Sequence, residues 1–207
     1  MNSNIAQLIE ELKRKGYNPE LYCYNLEKKN SYYVDLVSDT LITSKQLNDL
    51  SELLNDIYVH FPKDFNYKFS FFYSETMTIF FDIYKSSFFI KKYKLIISPE
   101  LKNIHELIHG FASCINCYAN KILEEGLAMY LSWVITDSFP QIQSYSIYDL
   151  SNLTDCKTDK DYILSGLLVQ FLIKNRNDFF EIYSASVPNN MNFIKSIIDL
   201  NKEIYNA

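Results

Sequence analysis

The chain has 207 residues, enough for one substantial domain or two closely packed halves, and its hydrophobic fraction of 48% supplies a packed core. A formal net charge of −5, with no long lysine or arginine run, leaves nucleic acid without an electrostatic footprint. No apolar stretch reaches ~18 residues, and the first residues lack the basic start and apolar core of a secretory signal. The expectation is therefore a soluble, cytoplasmic protein with no membrane span.

Ile5, Leu8, Ile9 and Leu12 recur at helical spacing, and Gly16 is a plausible stop. Residues 20–37 read as two short strands around a polar turn. A second helix starts near Thr43 or Ser44, places Leu47, Leu50, Leu53, Leu54, Ile57 and Tyr58 on one face, and ends before Pro62. The aromatic and β-branched segments 69–73, 78–84 and 92–97 read as strands, giving a small antiparallel sheet together with the earlier pair.

From Ser98 onward the pattern is helical. Ser98-Pro99-Glu100 has a cap, a proline and an acid in the order of a helix start, and a helix is expected over 99–118. Further helices fit 120–135, 160–175, 188–205 and, shorter, 178–186, with an extended loop at 137–159. The fold class is thus α+β: an N-terminal α/β subdomain over 1–98 and a helical subdomain over 99–207. The 17 Tyr and 15 Phe are expected to fill the core and the half-buried surface. Cys23, Cys114, Cys117 and Cys156 show no paired framework and read as buried small hydrophobes; Cys114-x-x-Cys117 does not lie in a strand-to-helix loop, where a redox pair belongs.

Chemistry concentrates in His105-Glu106-Leu107-Ile108-His109. Residues four apart on a helix are turned by only about 40°, so the two imidazoles project together toward one ion. Glu106 lies about 100° from His105, beside an ion but not on it, where it can take a proton from a metal-activated water. Of the three histidines, two fall in this pattern; His60, at the end of the second helix, reads as structural. A catalytic zinc has three protein ligands and an open position, and no third histidine lies downstream. The remaining candidates are Glu124 and Glu125. Glu125 is favoured because Gly126 and Ala128 beside it are small enough to let two ligand-bearing helices approach; Glu124 stays open as ligand or as acceptor for a histidine N–H.

His105-Glu106-x-x-His109 followed by Glu125-Gly126-Leu127-Ala128-Met129-Tyr130 resembles the gluzincin metallopeptidases, in particular the peptidase-MA-like group. The resemblance covers roughly residues 95–175. It implies a zincin-like fold, Zn2+ as cofactor, Glu125 as third ligand and Glu106 as catalytic base. Tyr162, opening a helix with Gly166 and Leu172, resembles the tyrosine that opens the family's later helix, which implies a hydrogen bond to the oxyanion. Tyr130, Tyr145 and Tyr148 are weaker candidates for that role. The interval from His109 to Glu125 is shorter than in the aminopeptidases, Tyr162 sits one residue further from its glycine, and a G-x-M-E-N segment for a free amino terminus is missing. The implied activity is zinc-dependent hydrolysis of internal peptide bonds. The substrate is a peptide or protein lying between the two halves and pairing with an edge strand within 87–97. The rival expectations are a non-catalytic zinc-binding regulatory protein and another zinc hydrolase.

Overall fold

The computed structural model describes residues 3–18, 20–74, 88–140, 153–188, 190, 192 and 195–196. The chain divides into two compact units, Met1–Cys117 and Tyr118–Ala207.

In the first unit, α1 (Ser3–Arg14) buries Ile5, Leu8, Ile9 and Leu12 on one face. Gly16 follows at φ 90, a left-handed conformation that glycine takes without a Cβ penalty. β1 (Tyr22–Lys28) and β2 (Tyr32–Ser38) pair antiparallel across a turn in which Asn30 takes a positive φ. α2 (Ser44–Tyr58) opens on a reciprocal capping box between Thr43 and Gln46. β3 (Tyr67–Tyr73), β4 (Phe88–Ile90), a 3-10 turn (Lys91–Tyr93) and β5 (Leu95–Ser98) complete a five-stranded sheet of order β1-β2-β3-β5-β4.

The sheet is mixed, which corrects the antiparallel expectation. β1–β2 and β4–β5 are antiparallel, whereas β2–β3 and β3–β5 are parallel. Strand direction is set by the connection: α2 carries the chain back across the sheet, and a strand following such a crossover must run parallel to the one before it. Of the expected edge region 87–97, only β4 lies at an edge of the sheet among the described residues, since β5 lies between β3 and β4.

The helix carrying the histidines, α3, spans Ile104–Ile115 instead of 99–118. Ser98 does not cap it. The Ser98 hydroxyl accepts from the Glu100 amide at 2.9 Å and donates to the Glu100 carbonyl at 2.9 Å, closing a tight turn. Asn103 is the cap, its side chain accepting from the Glu106 amide at 3.1 Å. α3 packs on β3, β5 and α2, so it belongs with the sheet. Phe111 points into a cluster of Tyr32, Tyr58, Phe61, Tyr67 and Phe69, and Gly110 lies against the Phe69 ring. On the other face of the sheet, α1 packs on Val37, Phe72, Leu95 and Ile97.

In the second unit, α4 (Lys121–Thr136) packs lengthwise on α5 (Asp159–Asn175), and α6 (Phe179–Ala185) follows. Thr158 and Asp161 form the capping box that starts α5. Gly166 meets the Trp133 ring, and Gly126 faces the Ser165 carbonyl and Val169. The small residue beside Glu125 therefore serves the α4–α5 contact. A Cβ at Gly126 would collide with the backbone of α5, so Gly126→Ala is expected to destabilise the chain by about 1–3 kcal/mol. That cost outweighs the roughly 1 kcal/mol of helix propensity gained, and a lower urea midpoint would show it.

The expected strand 78–84, Tyr145 and Tyr148, most of the 137–159 loop and most of the 188–205 helix lie outside the described residues. No helix among the described residues is long and apolar enough to cross a membrane.

Candidate metal centre

His105 and His109 occupy the first two turns of α3, one residue and five residues after its first position. Their Nε2 atoms are 3.1 Å apart and their rings meet edge to face at 4.7 Å between centroids. Two nitrogens each about 2.0–2.1 Å from a tetrahedral zinc stand about 3.3 Å apart, so the pair already has the bite that one ion requires. His109 is 5% exposed, and the Phe89 ring from β4 lies nearly parallel to it, 6.4 Å away and tilted by 15°. That packing limits the imidazole to few orientations. His105 is half-buried and nearer the surface.

Glu106 follows His105 in the first turn of α3. The partial positive charge of a helix N-terminus favours a carboxylate there, and the Asn103 cap holds the backbone that carries it. The sequence reading missed both Asn103 and Phe89. Asn103-x-x-Glu106 has the spacing of a capping pair and was open to recognition; Phe89 comes from a strand, and no periodicity points to it.

In the second unit, Asn120 caps α4 by accepting from the Ile122 amide at 3.0 Å. Glu124 and Glu125 fall in the helix's first turns. Glu124 is 6% exposed and Glu125 is half-buried. Tyr162, in the first turn of α5, is half-buried. Burial, and after it the nearby Glu125 carboxylate, raise its phenol above the ordinary value. It stays a hydroxyl donor through neutral pH. Tyr130 is half-buried on α4. The Lys121 ammonium donates to Asp155 at 3.0 Å and to the Cys156 carbonyl at 2.9 Å, tying the segment before α5 to the start of α4. Lys121 and Asp155 are a further pair that spacing alone does not reveal.

Only one cysteine matches the expectation of burial. Cys156 is buried, Cys114 and Cys117 are half-buried and Cys23 is exposed. Cys114 reaches the backbone of Lys68, and Cys117 donates to the Lys91 carbonyl at 2.9 Å. Burial pushes the Cys156 thiol up to about 11. The exposed Cys23 is expected to be alkylated before Cys156, whose buried, raised thiol should react only after unfolding; mass mapping of iodoacetamide adducts checks the order. His60 is exposed beyond α2, where partial burial and then Lys63 lower its imidazole below the ordinary value.

Comparison with protein-family models finds no match, and comparisons with curated proteins and with solved structures find no significant one.

Proposed function

We propose that the chain is a zinc-dependent metallopeptidase of gluzincin-like arrangement that cleaves internal peptide bonds. The observation that carries this is the imidazole pair on α3, with Nε2 atoms 3.1 Å apart and Glu106 beside them. His105 and His109 are two of the proposed ligands, and Glu125 is the proposed third. Two neutral nitrogens and one carboxylate oxygen are a donor set suited to zinc and leave a fourth position for solvent or substrate. When bound, zinc lowers the pKa of water toward 7 and polarises a carbonyl.

The chain's own groups do the rest. Glu106 takes the proton from the attacking water and returns it to the leaving amine. Phe89 and the α3 packing hold the imidazoles in place, which keeps the geometry fixed between turnovers. Tyr162, kept protonated, donates its O–H to the developing oxyanion. Glu106 separates this reading from a purely structural zinc site, which needs no base. The test is zinc content of the purified chain measured alongside turnover of a mixed peptide library. Zinc-dependent cleavage within peptides supports the proposal, and bound zinc without cleavage favours a binding role.

A further inference from the structure

The topology gathers lysines that are far apart in the sequence. β1 ends at Lys28, and Lys29 lies in the turn that follows. In the sheet register Lys28 pairs with Tyr32, Tyr32 with Tyr67 and Tyr33 with Lys68, while the Ser70 amide bonds the Lys94 carbonyl just before β5. Lys92 lies in the turn from β4 to β5, and Lys63 reaches the Tyr58 ring, as Lys28 does. Six lysines, 28, 29, 63, 68, 92 and 94, thus share one end of the sheet, in a chain of net charge −5.

Lys94 is half-buried and the other five are exposed, and among the described residues none of the six is in an ion pair. Four carboxylates, Glu27, Asp35, Asp56 and Asp64, lie on or beside these segments, fewer than the six lysines, so the end stays net positive. Several ammoniums sit over tyrosine faces: Lys63 is 3.7 Å from the Tyr58 centroid, Lys68 is 5.2 Å from Tyr33 and Lys92 is 5.1 Å from Tyr93. Tyr33 and Tyr93 are themselves half-exposed.

We infer that this end of the sheet docks on a membrane surface rich in anionic phospholipid. Two features favour a lipid surface over RNA. The cations are all lysine, compact hydrated charges suited to a diffuse negative layer, and neither of the chain's arginines, which read phosphates bidentately, is among them. Tyrosine rings interleaved with ammoniums match the layer where a ring sits among headgroups and a charge reaches the phosphates. The site is separate from the candidate metal ligands and does not depend on the peptidase proposal.

The test is co-sedimentation of the full chain with phosphatidylcholine vesicles with and without phosphatidylserine. Binding is expected only with phosphatidylserine. It should be lost as ionic strength rises from about 0.1 M to about 1 M, where the screening length falls to roughly 3 Å. Each lysine near such a surface is worth about a 5-fold change in partitioning, so Lys28→Gln/Lys68→Gln/Lys92→Gln together should weaken binding by about 100-fold. Lys45→Gln/Lys157→Gln/Lys174→Gln, with the same net charge, should leave it unchanged. An unaltered circular-dichroism melt of the first triple variant shows that the loss is not unfolding. No binding to phosphatidylserine vesicles, equal loss in both triple variants, or tighter binding to polyuridylic acid than to the vesicles would overturn the assignment.

Discussion

Replacing Glu106 by glutamine is expected to leave zinc content unchanged and to lower kcat for peptide hydrolysis by about 10²–10⁴-fold, the usual contribution of a positioned general base. The substitution keeps the shape of the side chain and the Asn103 bond to the residue 106 amide, because that bond uses the backbone. It removes only the capacity to accept a proton. KM should move little, since Glu106 acts on the water and not on bound peptide. Metal analysis beside steady-state kinetics separates the two roles: retained hydrolysis excludes Glu106 as base, and lost metal would make it a ligand.

His105→Ala is expected to abolish stoichiometric zinc binding and, with it, activity. Removing a mere hydrogen-bond partner of a ligand costs 10–100-fold in metal affinity, so deleting a ligand should cost more than about 100-fold. His105 serves this test better than His109. It is only half-buried, while His109 is 5% exposed under Phe89, and its truncation would also open a gap in the packing. Zinc content after dialysis against a weak chelator reads the effect. An unchanged melting curve of the metal-free protein would show that the loss lies in coordination.

The elements were legible where one local rule decides them. α1 and α2 carry apolar residues at helical spacing, and α2 is capped by Thr43, whose partner Gln46 sits three residues on. His105, Glu106 and His109 were legible for the same reason, since their relation depends only on helix geometry. Strand direction was not, because β3 runs parallel to β2 through a crossover that the strand residues do not encode. The start of α3 was misread because serine before proline and glutamate suits a tight turn as well as a cap, and Asn103 competes for the cap within five residues. Gly126 was read correctly as a point of close approach, but its neighbour is α5. The lysines at the end of the sheet come from four separate stretches, 28–29, 63, 68 and 92–94, so no single charge run gathers them.

The most direct measurement is zinc-edge X-ray absorption of the zinc-loaded full chain, compared with its Glu125→Gln and Glu124→Gln variants. The proposal predicts two imidazole nitrogens and a carboxylate oxygen at about 2.0–2.2 Å, with the oxygen signal altered by Glu125→Gln alone. A sulfur shell at about 2.3 Å, or a spectrum indifferent to Glu125, would contradict it.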